Sequence, residues 1–335
     1  MFDLIARAGE LLRSVPFILG YTPEESLVMV LFDGRTLRGA MRMDLQGVDA
    51  NLDQLTQAAA GAGADEAFAV VVDSNGFHCP LCVEERHTML DNVMLAMAAV
   101  GVDVRASFVI DKVAAGGRWC LVGDDESVQI LEDPAESPMA VATVLSGEPV
   151  VGTRDDLKAL VEVETARMAV VMELVEDVAG SDVEVEAVVA SVLVTVRLLV
   201  GGGAVTDRDL AGIAVTLPNP VVRDQLYALA LSDVSGGAET LWALLARVLS
   251  GQWRVEALVL LCMSAYLRGD GTLAGIAVGA ALRMVPGHRM ASMLDTALRN
   301  GFPPEKIREV VAKVARVGVE RYRSAERGPL NLDGC

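Results

Sequence analysis

Two cysteines and two histidines fall within eleven residues, Phe77-His78-Cys79-Pro80-Leu81-Cys82-Val83-Glu84-Glu85-Arg86-His87, in a chain that holds only five cysteines and three histidines. Thiolates separated by two residues can wrap one ion. His87 can add a third ligand, and His78 or Cys120 a fourth, which makes a closed tetrahedral zinc site one reading. A redox pair is another, because a Cys-x-x-Cys opening a helix has its first thiolate stabilised by the helix N-terminus. The third reading is packing: Cys79 and Cys82 as small apolar residues where a loop meets a helix. A single Cys-x-x-Cys has no second pair to complete a zinc site, and the tryptophan and glycine usual before redox centres are missing. The expectation is therefore no cofactor, with zinc as the alternative.

Other residues could do chemistry by position. Asp33, Asp73 and Asp111 each follow an apolar run. They would sit at strand ends, where α/β sheets place ligand clefts. Arg268-Gly269-Asp270-Gly271 reads either as a backbone nest for an anion or as a helix stop at Gly269 with Asp270 capping the next helix; capping is the preferred reading. Arg223-Asp224 reads as the first turn of a helix, where an aspartate suits the dipole. Glu24, Glu25 and Ser26 have no histidine near them in sequence, and capping accounts for them. No phosphate loop, dinucleotide fingerprint, HExxH or GxSxG is present, so no catalytic residue is assigned.

These residues depend on the elements that hold them. Phe2 to Arg13 has helical spacing and is expected to stop at Pro16. Thr22-Pro23-Glu24-Glu25 predicts one capped helical turn. Leu27 to Phe32 is an unbroken apolar run, a strand buried on both faces. Asp33-Gly34 then turns the chain into Leu37 to Leu45, a hairpin. Leu52 to Ala62 is helical, Ala67 to Val72 a strand, Glu84 to Val100 a helix, Val102 to Ile110 a strand, and Trp119 to Val122 a short antiparallel strand. Alternating strands and helices require crossovers and a mixed sheet.

From the acidic, proline-containing stretch at Glu132 to Pro138 onward, the periods turn helical. Ser137 caps a helix to about Ser146, and Asp155 to Val178 forms a long one. Glu184 to Val200 follows, although its valines favour strand. After the Gly201–Gly203 break, Thr206 caps a helix to Leu217, and Pro220 opens one to Leu231. Five more helices, Gly237–Ser250, Val255–Arg268, Thr272–Val285, His288–Asn300 and Pro304–Val317, make antiparallel hairpins. Ala274, Ala281 and Pro286 sit at tetratricopeptide-like offsets, but no second copy follows. The fold class is therefore an α/β domain (1–133) with a hairpin, βαβ crossovers and a mixed sheet, then an all-α domain of helical hairpins (134–327) and a tail (328–335).

Composition narrows the function. Hydrophobic residues make up 52% and mean hydropathy is +0.41, too rich for a disordered chain. Ala187 to Val200, with Arg197 inside it, is too short and too polar for the roughly 20 residues of a membrane span. With no signal peptide in view and an odd number of cysteines, the expected setting is the cytoplasm, with reduced thiols and no membrane. A formal charge of −18 opposes nucleic-acid binding. Residues 1–150 carry 9 Lys/Arg against 23 Asp/Glu, whereas residues 240–335 carry 13 against 8. The plain reading is two solvated surfaces of opposite sign; the sharper one docks the basic part on an acidic surface, of this chain or of a second copy.

SVPFILGYTPEESLVMVLF (Ser14 to Phe32) resembles the N-terminal signature of the DUF4192 family of actinobacteria and their phages. The resemblance runs on through ESPMAVATVLSGEPVVGTRDDL and NPVVRDQLYAL. It is densest in AYLRGDGTLAGIAVGAALRMVPGHRMASMLDTALRNGFPP (Ala265 to Pro304). The chain departs from the family pattern around Asn75 to His87 and after Arg327. The resemblance implies a cytoplasmic actinobacterial or phage protein and no particular activity. The expectation is a non-catalytic binding or regulatory protein with a protein partner. The alternative is an enzyme or a nucleotide or metabolite binder using the cleft between the two domains.

Overall fold

The computed structural model describes residues 2–77, 80–124, 127–146, 152–178 and 185–313. The chain forms two compact units, one of Met1–Leu157 with Thr296–Phe302, the other of Lys158–Asp295 with Pro303–Cys335.

The first unit is built on a six-stranded mixed sheet in the order β2-β1-β3-β4-β5-β6. Its strands are β1 (Ser26–Asp33), β2 (Thr36–Asp44), β3 (Glu66–Val72), β4 (Asp103–Ile110), β5 (Arg118–Leu121) and β6 (Gln129–Ile130). The β1–β2 hairpin forms as its turn chemistry requires, and β1 is antiparallel to β3 as well. The two neighbours of β1 therefore run the same way, and helix α2 (Leu52–Gly61) makes the crossover between them. Helix α3 (Pro80–Ala99) makes the second crossover, joining the parallel pair β3 and β4. The period-2 rule puts Leu27, Met29 and Leu31 on one face opposite Val71, Ala69 and Ala67. Leu55 and Ala59 of α2 and Met89, Leu90, Val93 and Met97 of α3 belong to the same core. Val28, Val30 and Val70 on the other face are fully buried too, which explains the unbroken apolar run of β1.

Helix α1 (Phe2–Leu19) does not stop before Pro16 but carries it inside. Proline forfeits a single helical hydrogen bond there, while Leu12, Val15 and Leu19 on both sides of it are buried. Tertiary packing outweighs the local stop signal. The predicted helical turn at Thr22–Glu25 is absent: Thr22 to Glu24 have no regular structure, and Glu25 is a bend with a left-handed φ of 41°. Helix α3 starts four residues earlier than its apolar stripe suggests, and β6 is too short to leave a period. Among the described residues no strand follows Ile130. On α2, a Cβ at Gly61 would overlap the carbonyl oxygen of Asn300, and one at Gly301 that of Ala58. Glycine at both positions is what lets these two backbones touch.

Helices follow. Ser137 caps α4 (Pro138–Ser146) by accepting the Ala140 N–H. The single helix expected over Asp155–Val178 is two, α5 (Arg154–Ala159) and α6 (Thr165–Val178). Long-range bonds hold the break between them: the Glu164 N–H donates to the Arg247 carbonyl, and Arg254 Nη2 donates to the Val161 carbonyl. Next come α7 (Val185–Val200), α8 (Asp207–Ala214) under a Thr206–Asp209 capping box, and α9 (Pro220–Tyr227) capped by Asn219. Then come α10 (Ser235–Val248), α11 (Gly251–Arg268), α12 (Gly271–Met284) and α13 (Arg289–Arg299), and residues 304–313 are helical. The thirteen residues from Val255 to Leu267 of α11 are all buried, so α11 is the axis of the second unit. Ala274, Ala277 and Ala281 of α12 are fully buried as well. No described helix is long and apolar enough to cross a membrane.

Candidate functional site

Parallel strands β3 and β4 end side by side, and the chain just beyond them is unusually rich in polar contacts. Asp73, 1% exposed, donates its N–H to the Ile110 carbonyl. Its Oδ1 accepts the Asn75 N–H at 2.8 Å, and its Oδ2 pairs with Arg86 of α3. Glu25 makes no capping box. Its Oε1 accepts both the N–H (3.0 Å) and the hydroxyl (2.7 Å) of Ser74. The bonds to Ser74 hold Glu25 in a backbone conformation that costs a non-glycine residue about 1–3 kcal/mol. Asp111 closes its own loop by accepting the Arg118 N–H at 2.8 Å. The Arg118 guanidinium lies 4.8 Å from the centre of the Phe77 ring, a cation–π contact.

Beside these groups is a pocket of about 160 Å³. Phe77, Val83 and Val109 give it apolar walls, and Gly76, His87, Cys120 and Arg86 complete the lining. Cys120 and Val109 are register partners on the face of the sheet that α3 covers, which is why they meet Arg86 and His87 there. The Arg86 side chain is 12% exposed and only its Nη2 is paired. Its Nε and Nη1 are buried with no hydrogen-bond partner among the described residues. Burial lowers the pKa of this guanidinium, and the negative charge of Glu25 opposes that shift.

Of the metal candidates, His78 and Cys79 lie outside the described residues. Cys82 and His87 are half-buried on α3, five residues apart and so on different sides of the helix. Among the described residues no three His, Cys, Asp or Glu side chains come together as a metal site would need. Of the three cleft aspartates, Asp73 and Asp111 share one end of the sheet. Asp33 is at the other, because β1 runs antiparallel to β3 and pairs Phe32 with Glu66. There Asp33 pairs with Arg38.

At Arg268–Gly271 the amides are already engaged: Gly269, Asp270 and Gly271 donate to the carbonyls of Tyr266, Ala265 and Gly269. Gly269 has φ 97°, the left-handed conformation of a helix C-cap, and Asp270 accepts the Leu273 N–H. Arg268 itself pairs with Glu239 and Asp270.

Neither Arg86 nor a second buried cluster is evident from sequence. In α11, Glu256 is 9% exposed and accepts from Arg223 Nη1 at 3.2 and 3.4 Å. His288 Nε2 lies 3.3 Å from the same carboxylate, while His288 Nδ1 accepts the Ala291 N–H at the start of α13. An acceptor role for Nδ1 assigns the proton of the neutral ring to Nε2, so the histidine donates to Glu256. Tyr227 OH and Arg223 Nε are buried close by without a partner among the described residues. One signal for Glu256 does exist: it is the lone charge in an apolar run of helical length.

A family model described as Domain of unknown function (DUF4192) matches residues 9–305. No curated protein and no solved structure matches the chain.

Proposed function

The chain belongs to the DUF4192 family, which carries no named activity, and from that premise we propose that it is a non-catalytic binding or regulatory protein whose α/β unit receives a small ligand at the carboxyl ends of β3 and β4. One observation carries this reading. Arg86, the cation of a buried ion pair with Asp73, lines a pocket there together with the apolar side chains of Phe77, Val83 and Val109. Apolar pockets with a few polar groups at the carboxyl ends of parallel strands are where small ligands bind. The nearby carboxylates support binding over chemistry: Asp73, Glu25 and Asp111 all accept from neighbouring groups that pin the loops. An actinobacterial or phage origin and a protein partner for the regulated state belong to the same proposal, and the charge of −18 supports an acidic surface for that partner to read.

A thermal-shift screen of metabolites and nucleotides on the full chain tests it, with Val83→Phe as a filled-pocket control. A ligand at 100 times its Kd should add about 2.7 kcal/mol to the stability of the wild type and nothing to the control. If every hit also stabilises Val83→Phe, or none appears, the small-ligand site is wrong. Turnover of a hit would make the protein an enzyme.

A further inference from the structure

We infer that helix α7 is a dimerisation surface, which pairs antiparallel with α7 of a second copy of this chain. Only one side of α7 is used inside its own unit. Val188, Val192, Thr195 and Val196 are buried. The helix is seated so closely on α10 that a Cβ at Gly237 would lie 2.8 Å from Val196 Cγ1. That contact fixes which side of α7 faces outward. The exposed side carries Ala187, Ala190, Ser191, Val194 and Leu198, spaced by three and four residues and so aligned in one stripe. Val194 is 65% exposed and Leu198 44%. Apolar residues scattered singly on a surface are ordinary, whereas a contiguous apolar face marks a contact.

Size along the stripe selects the direction of pairing. Its N-terminal half is small, with Ala187, Ala190 and Ser191, and its C-terminal half is bulky, with Val194 and Leu198. Two copies laid antiparallel set bulky on small at both ends, so Val194 of each helix fills the step beside Ala187 and Ala190 of the other. A parallel pair would oppose Val194 to Val194 and Leu198 to Leu198, and would hold the alanines apart.

Charge selects the same arrangement and identifies the occupant. Glu186 and Arg197 are the charged residues of α7, and both are exposed. Neither has an ion-pair partner among the described residues. Arg197 follows Glu186 by eleven residues, close to three whole turns, so both lie on the same flank of the stripe. In an antiparallel pair each flank faces the same flank of the other helix with the ends exchanged. Glu186 of each copy therefore meets Arg197 of the other, twice over by the two-fold symmetry, which also closes the contact at a dimer. A parallel pair would set glutamate on glutamate and arginine on arginine. Flanking charges of this kind decide partner and orientation, and here one surface supplies both halves of each ion pair.

Sedimentation velocity on the full chain tests this. One helix pair is a small interface, so a monomer–dimer equilibrium with a Kd of about 1–100 μM is expected. Val194→Glu should weaken it at least about tenfold, whereas Val144→Glu, at a position of α4 that is 77% exposed, should leave it unchanged. Glu186→Arg and Arg197→Glu should each weaken it about tenfold, since each turns two attractions into two repulsions. Mixed in equal amounts, these two variants should associate at close to wild-type strength, because each reversed charge then faces its opposite. Both residues also suit the ends of the helix dipole, but that role cannot produce a rescue by mixing. The far-UV circular dichroism should be unchanged in all four variants. A wild type that stays monomeric up to about 300 μM overturns the inference. Association untouched by Val194→Glu, or lost in Val144→Glu, overturns the location. Mixed variants that stay as weak as either alone overturn the antiparallel pairing.

Discussion

Helices α3 and α11 pose the same problem in the two units and solve it differently. Each is long, and each carries a largely buried charged side chain within its first two turns, Arg86 in α3 and Glu256 in α11. Helix α3 buries a stripe, Met89, Leu90, Val93 and Met97, and leaves its other side open. Helix α11 is enclosed all round from Val255 to Leu267. Inside α11's surroundings the Glu256 carboxylate is answered by two side-chain donors, Arg223 and His288. On α3, the described residues answer Arg86 once, by Asp73, and the residue lines a pocket. An enclosed helix must have its charge met by the fold, because nothing else can reach it. A helix beside a cavity can leave that task to a ligand.

Mutations can break this contrast. The largest effect is expected for Glu256→Ala, which leaves the half-buried Arg223 and His288 without their carboxylate. Removing one member of a buried pair costs about 3–5 kcal/mol. Urea unfolding read through Trp242, 1% exposed in the helical unit, would measure it, with Trp119 and Trp253 changed to Phe. Arg86→Met should cost less, about 2–3 kcal/mol: Asp73 keeps the Asn75 N–H, and the pocket gives water a way in. Trp119, 3% exposed in the α/β unit, is the probe for that variant. A loss as large as that of Glu256→Ala would erase the distinction between the two helices. The smallest effect should be a gain. Tyr227→Phe removes a buried hydroxyl without a partner among the described residues, so stability should rise by about 1 kcal/mol. A clear loss would mean that the hydroxyl is satisfied after all.

Alkali sharpens the same point. Burial pushes the Tyr266 phenol up to about 12 and pushes Cys262 and Tyr227 higher still, from ordinary values of 9.0 for the thiol and 10.0 for the phenols. The unfolded chain releases these protons first. Stability of the helical unit should therefore be intact below pH 9 and fall as pH rises toward 12. Tyr227→Phe should flatten that fall, which titration of the Trp242 signal in fixed urea would show.

The framework of the sheet is legible in the sequence because its signals are local. Leu27 to Phe32 and Ala67 to Val72 are apolar runs between turn residues, Val102 to Ile110 ends in the apolar Phe108-Val109-Ile110, and Ser137, Thr206 and Asp270 are caps with their helices directly behind them. What escapes is long-range. Pro16 sits in a helix because Leu12, Val15 and Leu19 are buried by distant chain. Glu25 looks like half a capping box but binds Ser74, 49 residues away. Asp33 follows a strand as Asp73 does, and only the antiparallel register reveals that they lie at opposite ends. Arg86 stands in a Glu-Glu-Arg-His run that reads as a solvated face, and no period marks it as buried.

The paired glycines at 61 and 301 set the order in which the molecule can be finished as it is made. A ribosome adds about 5–20 residues per second, so the stretch from Gly61 to Asn300 takes on the order of tens of seconds to emerge. Through that interval α2 lacks the backbone that later lies against Ala58 and Gly61, while all of α6 through α12 is being synthesised. The α/β unit, encoded first, closes only when a segment encoded after the helical unit's main helices returns to it.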